Sequence, residues 1–325
     1  MDFRSCFFLR KGSFCVLFLF CCLLISCNLL DRGPIVLMDW NAQAFFDATE
    51  TGNEFKEYRG AKSAWTKERY SVRLDRLREI LLLAGKQSGK RQDSGPDIVV
   101  LEEIENAQVL KDLCNRLPRQ CAYSSAVFAP PGADSAFGTA LLSRYPIKKV
   151  TAHSVGGSGF GSCFIDTSGG LPVALRPLLE VTIDIDGNPL VIFAAHWKSK
   201  SGREDSRNIR LAQERLLLSR IAALEEETPG VPWLACGDFN QRQDEFTVMA
   251  RFTNCWTAWL SSCGSGTVSG PEGSYYFREK WETIDHIFCS PALENSAGLD
   301  FACYRVLAEV PLVGDDGVPS RYEVY

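Results

Sequence analysis

Five short apolar runs constrain this chain more than any other feature: Ile35–Trp40, Asp97–Leu101, Leu190–Ala195, Pro232–Cys236 and Ile284–Cys289. They are rich in Val and Ile, too short for helices, and bounded by Gly, Pro or polar residues, so each reads as a buried β-strand. Helical patterns lie between them. Glu68–Leu83 repeats Tyr70, Leu74, Leu77 and Leu81 at spacings of three and four. A second helix, from about Asp205 to Leu224, carries Ile209, Ala212, Leu216 and Ile221 on one stripe, with Glu204 and Asp205 suited to its first turn. Val109, Leu110 and Leu113 suggest a shorter helix after the second strand. Asp186-Gly187-Asn188-Pro189 and the Gly-rich stretches 156–161 and 264–273 mark turns. Strands interleaved with helices predict a layered α/β domain.

The first residues read as an address. Arg4, Arg10 and Lys11 precede an almost wholly apolar run, Phe14 to Ile25. That run is short for a membrane span of about 20 residues but suits the core of an export signal. It ends in Leu24-Ile25-Ser26-Cys27, which resembles the lipobox of bacterial lipoproteins, with cleavage before Cys27 and lipid on its thiol. An ordinary signal peptide or an uncleaved anchor helix are the alternatives. The expected division is therefore a signal at 1–26, a tether at 27–31 and one domain over 32–325. The product would be exported and membrane-anchored, periplasmic or at the cell surface. The formal net charge of −5 argues against a strong general affinity for nucleic acid, though a local basic patch would still serve.

Of 13 cysteines, eight lie beyond Cys27. An even number in an exported chain permits disulfides, and Cys255–Cys263 and Cys114–Cys121 are the local pairs to test. Cys236 and Cys289 lie in apolar runs, where a buried thiol is expected. No CxxC or Cys/His cluster suggests zinc.

The informative pattern is where polar residues fall. The strand-like runs end in Asn41, in Glu102-Glu103, in His196 and in Gly237-Asp238-Phe239-Asn240, and the last one carries Asp285. Packing alone gives core strands no reason to end this way, whereas ligands commonly bind at strand ends in α/β sheets. Carboxylate and amide oxygens are hard ligands that suit Mg²⁺ or Mn²⁺. A divalent ion neutralises phosphate charge and helps place an attacking hydroxide. Asp238 and Asn240 are two apart, which puts them on one face of an extended strand end. The constellation points to hydrolysis of a phosphate ester.

Trp40-Asn41 with Phe45-Phe46-Asp47, Leu101-Glu102-Glu103-Ile104-Glu105-Asn106, Gly138–Ile147, Arg176-Pro177-Leu178, His196-Trp197-Lys198-Ser199-Lys200, Gly237-Asp238-Phe239-Asn240 and Ile284-Asp285-His286-Ile287 together resemble the motifs of the endonuclease/exonuclease/phosphatase superfamily, in its order. The match runs from about Arg32 onward. The resemblance implies a four-layer α/β sandwich, two packed mixed β-sheets flanked by helices. It also implies Glu103 as principal metal ligand, with Asn41 close to the metal and the attacking water. Asp238 would activate or orient the nucleophile, Asn240 would hold the phosphate, and His196, Arg176 and Lys198 would contact the substrate phosphate. Glu102 stands where many relatives have glutamine, and strand alternation is expected to send it away from Glu103.

Blander roles compete. Asn41 could be a turn former, Glu103 an exposed edge residue, Asp238 and Asn240 an ordinary polar turn, His196 a structural histidine, and Arg176 an ion-pair partner of Glu180. Lys198, Lys200, Arg203, Arg207 and Arg210 would form either a basic rim for a polyanion or a solvated helix face. Superfamily members usually close with Ser-Asp-His-x-Pro, and this motif does not occur in the 325 residues, which end just beyond Val318-Pro319-Ser320-Arg321-Tyr322. Asp285 matches the aspartate that orients its histidine and is a catalytic candidate expected to lack that partner. His286, on the opposite strand face, is a poor substitute. Three functions are compatible with these residues. The first is a nuclease-like phosphodiesterase acting on nucleic acid. The second is a phospholipase C or phosphoinositide phosphatase, and the third a surface lipoprotein that only binds. No protein partner is inferred.

Overall fold

The structure, a computed structural model, describes residues 34–60, 63–131, 135–155, 175–200, 206–262, 273–295, 298–308, 311–314 and 318–320. Cys27 and the signal-like run, Arg203, Cys163, Cys263 and the stretches 156–161 and 264–272 lie outside the described residues. The chain divides into Met1–Ile35 and Val36–Tyr325, and the second unit carries every helix and strand named below it in the sequence, from Leu37 onward.

That unit is built on two mixed β-sheets. The smaller contains β1 (Leu37–Phe45), β2 (Ile98–Ile104), β3 (Ser125–Ala129) and β4 (Gly138–Ser143) in the order β1-β2-β4-β3, with β1 and β2 parallel and the rest antiparallel. The larger contains β5 (Ile147–His153), β6 (Leu178–Ile185), β7 (Asn188–His196), β8 (Trp233–Asp238), β9 (Thr253–Asn254) and β12 (Asp285–Cys289), in the order β5-β6-β7-β8-β12-β9. A separate hairpin joins β10 (Tyr275–Phe277) to β11 (Lys280–Glu282). The helices are α1 (Lys67–Gln87), α2 (Ala107–Arg116), α3 (Ser206–Glu227) and α4 (Cys255–Ser262).

Strand alternation sorts the side chains into layers. Met38, Val99, Leu101 and Leu142 pack with Leu74, Leu77 and Leu81 of α1 and with Val109 and Leu113 of α2. Val191, Phe193, Trp233, Ala235 and Phe288 pack with Leu217 and Ile221 of α3. The alternate residues, Ile98, Val100 and Leu141 on one sheet and Val181, Ile192 and Ala194 on the other, are equally buried and fill the space between the sheets. The result is the expected four-layer sandwich, each buried aliphatic side chain contributing about 1.5–3 kcal/mol.

The five expected strands all form, but four of them run further than their apolar stretches. β1 reaches Phe45, β2 Ile104, β7 His196 and β8 Asp238, so the polar residues that seemed to follow the strands lie within them. The Asp186-Gly187 turn joins β6 to β7, both residues at positive φ. Cys114 and Cys121 are free thiols, so that candidate pair is not bonded, and Cys255 is free as well. Cys236 and Cys289 are buried free thiols, as expected.

The stripes of α1 and α2 are buried as expected, and that of α3 needs correction. In α3 the buried face is Ile209, Gln213, Leu217, Ile221 and Leu224, with Arg210 and Glu214 also buried, while Ala212 and Leu216 are only partly covered. These inward polar groups tie loops to the helix. Gln213 accepts the Lys198 amide (2.9 Å), and Arg210 donates to the Lys198 carbonyl (3.1 Å). Glu214, 1% exposed, accepts the Thr247, Val248 and Met249 amides and the Thr247 hydroxyl. Lys200 is paired to Glu245 at 2.7 Å. The basic series is therefore no uniform rim, since Arg210 is a buried loop support and Lys200 is neutralised.

His286 is structural. Its Nε2 faces the Gln241 carbonyl at 2.9 Å and so carries the proton, which leaves Nδ1 to accept from Asn254 at 2.9 Å. The ring lies against Phe246 and Phe288. His153, which had no role by resemblance, contacts Glu180 at 2.8 Å, and Arg220 donates to the same oxygen at 3.1 Å.

Glu214→Ala leaves three backbone amides without their acceptor, so unfolding titrations should show a loss of roughly 3 kcal/mol. A loss below ~0.5 kcal/mol would mean that water takes the place of the carboxylate. Burial pushes the His286 imidazole from 6.5 down to about 4, so the unfolded chain binds its proton more readily. Its contribution is therefore complete above pH 6.5 and is lost as pH falls toward 4, about 3 kcal/mol at 1.4 kcal/mol per unit. The stability difference between wild type and His286→Gln should shrink by that amount between pH 7 and pH 4. A pH-independent difference would contradict the assignment.

Candidate active site

Register places three of the candidate residues side by side. On the larger sheet His196 pairs with Asp238 across β7–β8, and Asp238 pairs with Asp285 across β8–β12. By alternation all three face the smaller sheet. Gly237 makes this alignment possible: its φ is +135°, and a Cβ there would lie 1.9 Å from the Ala195 carbonyl oxygen.

The smaller sheet answers with Asn41 and Glu103. Asn41 donates from Nδ2 to Asp238 Oδ2 at 3.0 Å, a direct link between the sheets, while its Oδ1 accepts the Gln43 amide at 2.8 Å. It thus makes the local turn expected of an asparagine and also reaches Asp238 on the other sheet. Glu103 Oε2 accepts the Ala44 amide at 2.6 Å, which leaves Oε1 directed at His196 Nε2, 3.7 Å away. Asp238 Oδ2 lies 3.8 Å from the same nitrogen. Asn240, at φ +51°, donates its own amide to Asp238 Oδ1 (2.8 Å) and its side chain to the Trp197 carbonyl (3.1 Å).

Arg176, just before β6, interacts electrostatically with Glu103 and Asp238. Glu180, its expected alternative partner, is taken by His153 and Arg220. Burial lowers the Arg176 guanidinium, and the two carboxylates oppose that shift. Burial, together with the Arg176 charge, holds His196 well below the usual histidine range, so the imidazole is neutral. Lys198 lies on the loop after β7, half-buried, with Nζ donating to the Ser199 carbonyl at 3.3 Å.

Two residues that sequence reasoning left aside belong here. Glu102 is 0% exposed and faces Asp39, Asp238 and Asp285. The expected divergence of Glu102 from Glu103 fails because the pairing is irregular on both sides of β2: against β4, Glu102 and Glu103 lie opposite Thr139 alone, and against β1 the bulge is on β1. Between the pairs Asn41↔Glu102 and Phe45↔Ile104, β1 has three residues and β2 has only Glu103, at φ +57°. The bulge resets the alternation, so both glutamates reach the space between the sheets. Asp39 interrupts an apolar strand two residues before Asn41, and that interruption was the available signal.

Removal from water, then Asp238 and its neighbours, shape the titration here. Burial pushes Asp39 up to about 7, with the Asp238 charge adding to it, and it pushes Asp285 up to about 7, reinforced by Asp39. Burial raises Glu102 and Asp238 well above the carboxylate range, with Asp39 and Asp285 respectively as the leading charged neighbours. Carboxyl groups this close cannot all ionise without a compensating cation.

Among the described residues no three His, Cys, Asp or Glu side chains enclose a metal ion by themselves. Mg²⁺ and Mn²⁺ keep several waters and typically take one or two carboxylates plus substrate phosphate. Glu103 Oε1, set in an acidic and otherwise undercompensated space, is a hard donor of this kind, so the residues present fit the ion.

No curated protein matches the sequence. Among solved structures, truncated TDP2 from Caenorhabditis elegans superposes with a TM-score of 0.50 at 16% identity, covering 79% of this chain and 84% of that one. The human Nocturnin catalytic domain with bound sulfate gives 0.50 at 19%, covering 80% and 83%. A β-hairpin deletion mutant of beta toxin from Staphylococcus aureus gives 0.52 at 17%, covering 88% and 96%. At these identities the likeness speaks to fold. The Endonuclease/Exonuclease/phosphatase family matches residues 40–307, most of the chain. By that match, the chain belongs to the Endonuclease/Exonuclease/phosphatase family.

Proposed function

We propose that the protein is a metal-dependent phosphodiesterase of nuclease type, exported and tethered to a membrane through lipid on Cys27. The observation that carries the catalytic part is the convergence of Glu103 and Asp238, from different sheets, on His196 Nε2 at 3.7 and 3.8 Å. Members of the family are hydrolases of phosphate esters and commonly use divalent ions. Here Glu103 would hold Mg²⁺ or Mn²⁺ with Asn41 beside it, and the ion supplies charge neutralisation to the phosphate.

The chain's own residues do the rest. Neutral His196 donates a hydrogen bond to a non-bridging phosphate oxygen, and Arg176 stabilises the charge that builds there. Asp238, held by Asn41 and Asn240 and ionised once a cation offsets the neighbouring carboxyl groups, takes the proton of the attacking water. Asp285 shares the strand level of Asp238 and sets its electrostatic environment. Asn240 and Lys198 contact the substrate phosphate at the rim.

The nucleic-acid reading draws on the Glu-Ile-Glu-Asn and His-Trp-Lys-Ser-Lys segments, which look most like secreted nuclease-like members. The export and anchor reading draws on Leu24-Ile25-Ser26-Cys27.

The test offers plasmid DNA, RNA, sphingomyelin, inositol phosphates and a generic phosphodiester to the purified protein with Mg²⁺ or Mn²⁺, alongside EDTA. Cleavage of nucleic acid should require the metal, and Glu103→Ala or Asp238→Ala should lower kcat by ~10³-fold or more while the protein stays folded. Unchanged turnover in both variants would refute the assignment. Turnover of sphingomyelin or inositol phosphates alone would move the substrate to a lipid or sugar phosphate. Folded protein without any turnover would favour a binding role.

A further inference from the structure

The geometry points to Arg73, on α1, as a positioning residue that sets the metal-binding pair Asn41 and Glu103 through the β1 bulge. The inference rests on the reading of those two residues as the metal site. Arg73 acts on them through the backbone that lies between. It is 2% exposed, and its guanidinium donates to three successive carbonyls: Ala42 at 2.7 Å, Ala44 at 2.9 Å, and Gln43 between them. The rings of Phe45 (4.6 Å) and Trp65 (5.7 Å) flank it.

These carbonyls belong to the three residues that β1 inserts opposite Glu103. Gln43 (φ +55°) and Ala44 (φ +58°) are both left-handed without being glycine, a strained conformation for residues with a Cβ. Something must hold such a segment. The guanidinium does so from the helix side, with a fork of donors that matches several acceptors at once. With the carbonyls turned inward to Arg73, the amides of the same residues turn toward the site. Gln43 N–H then orients Asn41 Oδ1 (2.8 Å), and Ala44 N–H orients Glu103 Oε2 (2.6 Å). One buried cation thereby fixes the orientation of an amide and a carboxylate on two strands. Burying a charge beneath the apolar stripe of α1 has no better packing rationale, since Leu74, Leu77 and Leu81 already fill it.

Arg73→Met keeps the bulk and removes the donors, and Arg73→Lys keeps the charge but reaches fewer carbonyls. Leu77→Ala is the comparator, because it loosens the same helix without touching the bulge. Two readouts decide. In amide hydrogen exchange, Gln43 and Ala44 should lose protection in Arg73→Met by far more than the average amide, with Arg73→Lys intermediate. In Leu77→Ala they should change only in step with global stability. In Mn²⁺ titrations of melting temperature without substrate, the half-saturating concentration should rise ~10–100-fold in Arg73→Met, as is usual for groups that orient metal ligands, and stay put in Leu77→Ala. Hydrolysis should change in parallel, with a lower kcat and little change in KM.

If Gln43 and Ala44 exchange alike in Arg73→Met and Leu77→Ala, Arg73 is only a core residue and the proposal is overturned. If their protection is lost selectively while Mn²⁺ affinity is unchanged, the coupling to the metal pair is overturned. Wild-type protein that neither binds Mn²⁺ nor hydrolyses any substrate would sink the proposed function instead, leaving the exchange result to judge the bulge.

Discussion

Carboxyl groups held out of water between two sheets govern this structure. Asp39, Glu102, Asp238 and Asp285 face one another in that layer, with Glu103 at its mouth. An uncompensated buried carboxylate is costly, and most proteins exclude it or neutralise it. Here compensation comes from Arg176, from the amides of Ala44 and Asn240, and from the Asn41 side chain. Under the proposed function, a divalent cation would complete the balance.

Rigid sheets make this arrangement accurate. His196, Asp238 and Asp285 owe their common level to strand register, which a one-residue slip would destroy by sending every side chain to the opposite face. Gly237 permits the close passage of β8 beside β7. On the other sheet regular pairing would have separated Glu102 from Glu103, and a bulge brings both inward. The irregular element thus carries two of the candidate site residues, and Arg73 of α1 donates to its carbonyls from behind.

Much of the site was legible in the sequence. Apolar runs that stop at Asn41, Glu103, His196 and Asp238 have no packing reason to do so, and the structure places all four around one space. The turn at Asp186-Gly187 and the helices at α1 and α3 came from local chemistry. Less was legible where local pattern and tertiary demand differ. Arg73, Arg210, Gln213 and Glu214 look like solvent-facing members of helices, yet each is buried where it hydrogen-bonds backbone elsewhere, a strand bulge for Arg73 and loops for the others. Their partners lie between 12 and 35 residues away in the chain, beyond any periodicity argument.

The sequence by itself determined the strand positions, the α/β layering and the hard-oxygen chemistry, since these depend on local hydrophobicity and on which atoms each side chain carries. Only the tertiary structure decided the orientation of Glu102, the partner of Arg176, the neutrality of His196 and the structural role of His286. Each depends on what packs opposite it and on how much water reaches it. Those quantities exist only after the two sheets have closed on each other.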